Sequence, residues 1–209
     1  MTRRAGPRTR AHIGLGANLG DAAGTLATAV QALAALPGVR LRAVSRLYAT
    51  DPVGITNQPE FRNAVVALDV PAGPDPATGA VALLVALKTL EAAFGRQVRR
   101  RWGPRELDLD LLVFGRARLV LDRPPAGRSL DAEFDPAPAS RLLEVPHPAA
   151  RERLFVLVPL ADLVPGLVPP GWGETVASAR DRRLRLEGPA AVRALARWDP
   201  VGRGWRALG

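Results

Sequence analysis

Residues 99–114 read Arg99-Arg100-Arg101-Trp102-Gly103-Pro104-Arg105-Glu106-Leu107-Asp108-Leu109-Asp110-Leu111-Leu112-Val113-Phe114, and the second half of this stretch decides the fold. Apolar side chains hold every odd position from Leu107 to Val113. The even positions begin with Asp108 and Asp110 and turn apolar at Leu112 and Phe114. A strand sends successive side chains to opposite faces, so the pattern predicts a β-strand with both aspartates on one face, their Cα atoms about 6–7 Å apart. Gly103-Pro104 supplies a turn into it.

Two like charges side by side on a strand repel, and Asp is a poor strand residue. The arrangement makes sense with something cationic over that face. Hard oxygen ligands suit Mg²⁺, which takes one or two carboxylates and completes its shell with substrate phosphates and water. Directly upstream stand four arginines and Trp102. Guanidinium forks match phosphate oxygens, and an indole offers a flat stacking face. Carboxylates for metal beside arginines for phosphate point to a nucleotide-dependent phosphoryl-type transfer. A solvated charged face beside a strand end is the plain alternative, and D-x-D alone would support it.

Outward from this strand, the chain alternates strand and helix. Residues 11–17 form an expected first strand, followed by a helix with Leu26, Val30, Leu33 and Leu36 on one stripe, ending at Pro37-Gly38. A second strand is expected over 39–48, with Val39, Leu41, Ala43, Ser45 and Leu47 on one side, and a third over 61–70. Between them, residues 50–59 are rich in turn formers and too long for a tight hairpin. Asp75-Pro76 starts a second helix running to about Phe94, with Asp75 as N-cap and proline at the first helical position. Glu91 falls on its apolar stripe, so it is either paired structurally or part of a site. Residues 116–121 form an expected short hairpin partner for the aspartate strand, and 155–160 a buried strand or short apolar helix. A last short helix is expected near 174–179.

The order β-α-β-β-α-β is that of an α+β, ferredoxin-like arrangement: an antiparallel sheet with two helices on one face, here with C-terminal additions. Residues 1–10 read as a basic disordered arm, 11–180 as the domain, 122–140 as an acidic, Pro-rich surface insertion, and 181–209 as a basic tail.

Composition closes several routes. The absence of cysteine excludes disulfides and thiolate metal sites. No apolar stretch follows Arg3, Arg4, Arg8 and Arg10, so a secretory signal is not expected; the cytoplasm is, with no membrane partner. Leu19 breaks the glycine spacing of Gly14-Leu15-Gly16-Ala17-Asn18-Leu19, and no P-loop lysine is present, so a nucleotide site would be neither Rossmann-type nor Walker-type. A net charge of +9 raises a second reading, a basic nucleic-acid-binding module on a ferredoxin-like fold. Lys88 is the sole lysine, which marks the charge as a background preference for arginine, and no nucleic-acid partner is expected.

Four motifs then line up: Gly14 to Asp21; Tyr48-Ala-Thr-Asp-Pro-Val-Gly through Gln58-Pro-Glu-Phe-Arg-Asn63; Arg101-Trp-Gly-Pro-Arg-Glu-Leu-Asp-Leu-Asp110; and Val145-Pro-His-Pro through Arg153-Leu-Phe-Val-Leu-Val-Pro159. In this order they closely resemble the 6-hydroxymethyl-7,8-dihydropterin pyrophosphokinases of folate biosynthesis, over roughly residues 11–172. That family moves the β,γ-diphosphate of MgATP onto the hydroxymethyl oxygen of the pterin and releases AMP. The resemblance implies ATP as co-substrate, two Mg²⁺ ions on Asp108 and Asp110, and catalytic roles for Arg96, Arg99 and Arg105. It assigns Lys88, Glu91, Trp102, Leu111, His147 and Arg153 to the ATP site. The pterin would stack between Phe61 and Phe155, with Asn63 and the backbone near Thr50, Asp51 and Val53 reading its edge. A monomer is expected.

The chain departs from that family at two places. Where the family has G-R-V-R, this chain has Gly95-Arg96-Gln97-Val98-Arg99, shifting the second arginine by one, so that Arg99 or Arg100 takes the role. Lys88 stands where the family commonly has glutamine, one helical turn from Glu91, with which it can pair.

Overall fold

The computed structural model describes residues 6–52, 54, 57–96, 103–124 and 140–208. Strand β1 (Arg8–Ala17) is followed by helix α1 (Ala22–Ala35), β2 (Arg40–Val44), β3 (Leu47–Thr50), β4 (Phe61–Pro71) and α2 (Pro76–Ala93). Then come β5 (Asp108–Phe114), β6 (Leu119–Asp122), β7 (Arg141–Val145), α3 (Leu154–Leu163), α4 (Val176–Glu187), β8 (Val192–Asp199) and β9 (Gly204–Ala207). The main sheet runs β5-β1-β4-β3-β8-β9, with β2 also on β4, and its pairings are antiparallel.

The first four strand units thus sit in the ferredoxin-like order, and both helix starts are capped as their sequences dictate. Asp21 accepts from Gly24 N–H at 3.0 Å and Asp75 from Thr78 N–H at 2.9 Å. Odd residues of β1 (Ala11, Ile13, Leu15) join Leu109 and Leu111 of β5 against Leu26, Val30 and Leu33 of α1 and Leu83 and Leu87 of α2. Helix α2 has the length and mean hydropathy, 1.3 over 18 residues, of a membrane-crossing segment. Its Gly79, Ala80, Leu83 and Leu87 are nevertheless buried in the protein's own core, so no long apolar run is left unpartnered along that stripe.

Several expectations need correction. The strand expected over 39–48 is two strands. At the break, Val65 N–H donates to the Ser45 hydroxyl (2.9 Å), which leaves the Ser45 carbonyl to accept from the Trp205 indole (3.2 Å). The hairpin partner expected for β5 pairs elsewhere: β6 joins β7 in a separate two-stranded sheet, with the stretch read as an insertion as their connection. Most of that connection, 125–139, lies outside the described residues. Of the two readings of the apolar run after Arg153, strand or short helix, the structure has the helix, α3.

The basic arm ends sooner than expected, because Arg8, Thr9 and Arg10 already pair with Pro71, Val70 and Asp69, and Arg10 Nε meets Asp69 at 2.6 Å. The basic tail is not a tail. It holds most of α4 and the β8–β9 hairpin, which extends the sheet along β3, and Trp198 packs edge-on against Trp205 at 4.9 Å between centroids. The turn residues Asp199-Pro200-Val201-Gly202 flanked by two tryptophans were the hairpin signal.

Helices α3 and α4 also cover part of the sheet's second face, where Val156, Leu157 and Leu160 pack with Val65 and Leu112. The site occupies what they leave open. Beside Gly14 on this face lies His12, 3% exposed, with neither ring nitrogen partnered among the described residues. Burial, with Arg10 nearby, pushes its pKa down to about 4. The unfolded chain binds this proton near pH 6.5 and the folded one only near 4. Stability is therefore lost as pH falls through that window, on the order of 3 kcal/mol at its foot. His12→Leu is expected to raise Tm at pH 7, since it removes unpartnered buried polar atoms. It should also flatten the loss between pH 6.5 and 5. An unchanged slope in urea unfolding at those pH values would place the sensitivity on other groups.

Candidate active site

The register of three strands builds the site. Asp108 and Asp110 of β5 stand opposite Gly16 and Gly14 of β1, and these stand opposite Asn63 and Val65 of β4. The glycines carry no side chain, so the two carboxylates look across an open floor. A methyl at Gly16 would come to 3.3 Å from Asn63 Oδ1 and 3.9 Å from Asp108 Cβ. Asn63 donates to the Thr50 hydroxyl at 2.8 Å. Phe61 at the start of β4 and Phe155 in the first turn of α3 stand in the walls, and Arg153 lies over the Phe155 ring at 5.7 Å.

One cavity is lined by Thr50, Asp51, Phe61, Asn63, Arg105, Asp108, Asp110, Arg153 and Phe155, nine of the residues singled out from the sequence. Behind Asp108 runs a chain of charge. Arg96 Nη1 meets Asp108 at 2.7 Å and also pairs with Glu91, while Arg105 pairs with Asp108 from the other side. Burial alone would push the Asp108 carboxyl up, but Arg105 and Arg96 hold it below its ordinary range. Glu91, 2% exposed, accepts from Leu109 N–H at 2.7 Å and from Lys88 Nζ at 2.8 Å, so the lysine does pair with it. Burial raises the Glu91 pKa against the pull of Lys88 and Arg96.

His147 sits beside β5, its N–H on the Leu112 carbonyl at 2.9 Å. Burial lowers its pKa, against the charge of Asp110. Its Nδ1 accepts from Ala149 N–H at 3.2 Å, which leaves Nε2 as the protonated nitrogen of the neutral ring. The Leu111 side chain is 3% exposed in the core beneath α1 and α2, on the face away from the aspartates. Strand alternation dictates this, and Leu112 is the leucine in the cavity wall. Arg99, Trp102 and Val53 lie outside the described residues.

Three contributors were missed. Gly14 and Gly16 form the floor; their spacing matches that of Asp108 and Asp110, a signal visible only once the strands are paired. The third is Asn18, 3% exposed. Its Nδ2 donates to Gln58 Oε1 and to the Pro59 carbonyl, both at 3.0 Å, and its Oδ1 accepts from Arg105 N–H at 2.7 Å. One amide thus ties the ends of the two loops that flank the cavity.

Sheet order and site define a class: ferredoxin-like α+β proteins in which an acidic pair and several arginines converge on one aromatic-walled cavity. The open face of the central strands carries glycines, Asn63 and Val65 beside the aspartates, and nothing here supports the nucleic-acid-binding alternative. A family model, 7,8-dihydro-6-hydroxymethylpterin-pyrophosphokinase (HPPK), matches residues 12–165, and the chain belongs to that family.

The 2-amino-4-hydroxy-6-hydroxymethyldihydropteridine pyrophosphokinase of Methylorubrum extorquens is 43% identical over 171 residues, 82% of this chain and 91% of the relative. That of Pseudomonas aeruginosa is 41% identical over 158 residues, 76% and 82% of the two chains. The solved wild-type HPPK-DHPS of Plasmodium falciparum overlays with a TM-score of 0.68 at 13% identity, a likeness of fold. The match covers 99% of this chain and 51% of that one, so the chain spans about half of the solved protein.

Proposed function

We propose that this chain transfers the β,γ-diphosphate of ATP to the hydroxymethyl oxygen of 6-hydroxymethyl-7,8-dihydropterin, the pyrophosphokinase step of folate biosynthesis. The observation that carries this reading is the convergence of the Asp108–Asp110 pair, Arg105, Arg153 and the aromatic walls Phe61 and Phe155 on one cavity floored by Gly14 and Gly16. The hydroxyl oxygen attacks Pβ, the bond from Pβ to the oxygen bridging Pα breaks, AMP leaves with that oxygen, and the hydroxyl proton is released.

Asp108 and Asp110 offer the hard oxygen donors that Mg²⁺ takes, in the number it takes from protein when phosphates supply the rest. Among the described residues no cluster of three or more acidic or histidine side chains competes as a metal site. When bound there, two Mg²⁺ ions would neutralise phosphate charge as it develops. Arg105 and Arg153 in the cavity wall, with Arg96 on Asp108 and His147 beside β5, would supply donors to the polyphosphate. Phe61 and Phe155 sandwich the flat pterin, and Asn63 with Thr50 meets its polar edge. Catalysis on this account is alignment and charge stabilisation, with no side chain assigned as general base. We propose that the chain acts as a monomer.

Gly16 has ordinary extended backbone in β1, so a side chain there costs space and not backbone strain. Gly16→Ala is expected to weaken pterin binding about ten-fold, as one added methyl does in a fitted pocket, with Tm unchanged. Fluorescence titration with the pterin checks this, and unchanged affinity would move the pterin off this floor. The reading itself is tested by ³¹P NMR of the pterin product. A diphosphate ester is expected, and a monophosphate ester would mean transfer of a single phosphoryl group.

A further inference from the structure

Strand β8 lies beyond residues 12–165 of the family match, yet its first residues pair with the end of β3, whose Thr50 lines the cavity. Across β3, Val192 stands opposite Thr50 and Arg193 opposite Ala49; on the other side of β3, Phe61 and Arg62 stand opposite the same two residues. Arg62 and Arg193 therefore share one face of the sheet with only the Ala49 methyl between them, roughly 10 Å apart at Cα. Guanidiniums so placed repel unless an anion lies between them. Glu60 is that anion: one carboxylate oxygen lies 3.2 Å from Arg62 Nη1, and the other is paired with Arg193. Arg62 first, and Arg193 after it, hold the Glu60 carboxyl below its ordinary range.

This triad backs the cavity. Thr50, Phe61 and Asn63 line the front, and neighbouring strand positions point opposite ways. Glu60 is joined directly to Phe61, and the two residues before it are held by Asn18. The run that delivers Phe61 is thus pinned at one end by Asn18, just past β1, and at the other by Arg193 of β8. We propose that Arg193 is a positioning residue for the pterin pocket: acting through Glu60, the C-terminal hairpin sets the place of Phe61 and of the end of β3. The inference rests on the pocket being the pterin site, as read above. The hairpin has other anchors, Trp205 on the Ser45 carbonyl and Gln31 on the Arg203 carbonyl, so losing the Arg193 pair leaves it attached.

Steady-state kinetics of the full chain test this with Arg193→Met, Arg193→Lys and Glu60→Gln. Arg193→Met is expected to raise the pterin KM by about three- to five-fold, the range open to a solvent-exposed ion pair. The ATP KM, kcat and Tm should stay at the wild-type values. Arg193→Lys should restore most of the loss, and Glu60→Gln, which keeps the side-chain volume, should reproduce it and serves alone should Arg193→Met not fold. An unchanged pterin KM would overturn the proposal. So would an equal rise in both KM values with a lowered Tm, which would mean general loosening. Wild-type turnover is measured alongside. Absence of pterin-dependent AMP there removes the reading of the pocket, whereas normal turnover with an unshifted variant removes only the role of Arg193.

Discussion

Asp110→Ala is expected to lower AMP formation by at least about a thousand-fold, the scale on which a group that stabilises transition-state charge is felt, while the thermal melt stays that of the parent. The two aspartates are not equivalent. Asp108 is held by Arg96 and Arg105, so removing it also strands two guanidiniums. Among the described residues Asp110 makes no side-chain hydrogen bond or ion pair, and it faces Gly14 across an open floor. It therefore contributes little to folding and is placed for a ligand. Initial rates by HPLC with saturating Mg²⁺, beside a melting curve, give the answer. Retained turnover in a folded Asp110→Ala protein would sink the metal assignment.

Glu91→Leu is expected to destabilise the fold by about 3–5 kcal/mol, the cost of breaking a buried ion pair from one side. Glu91 is where α2 meets the aspartate strand. Its carboxylate takes Leu109 N–H from β5, Lys88 from its own helix and Arg96 from beyond the helix end. Leucine would leave the backbone N–H and Arg96 without that partner, both in a part of the protein that water reaches poorly. Because Arg96 also holds Asp108, the acidic pair should lose its setting with the helix. Urea unfolding at pH 7 measures the effect. A loss below 1 kcal/mol would show that Lys88 and Arg96 find water or other partners, making the network a surface feature.

The core of this architecture was legible because its signals are local. The odd-numbered leucines of 107–113, the caps at Asp21 and Asp75, and the stripes of α1 and α2 each depend on neighbours within a few residues. What was not legible depends on pairing across the chain. The break at Ser45 exists because Trp205, 160 residues away, takes the freed carbonyl. The β6–β7 pair forms across a long connection, and the hairpin at the end was masked by its four arginines from 193 to 206. At the site, residue types gave the carboxylates, arginines and aromatics. Geometry was needed to see that glycines lie opposite both aspartates, that Asn18 joins two loops, and that Leu111 faces the core.

The central claim, diphosphoryl transfer to a pterin hydroxyl, is tested most directly by following adenine nucleotides. The protein is incubated with ATP and Mg²⁺, with and without 6-hydroxymethyl-7,8-dihydropterin. The account predicts AMP formed only with the pterin, one per pterin consumed, and no ADP. ADP in place of AMP, or AMP formed equally without the pterin, would contradict it.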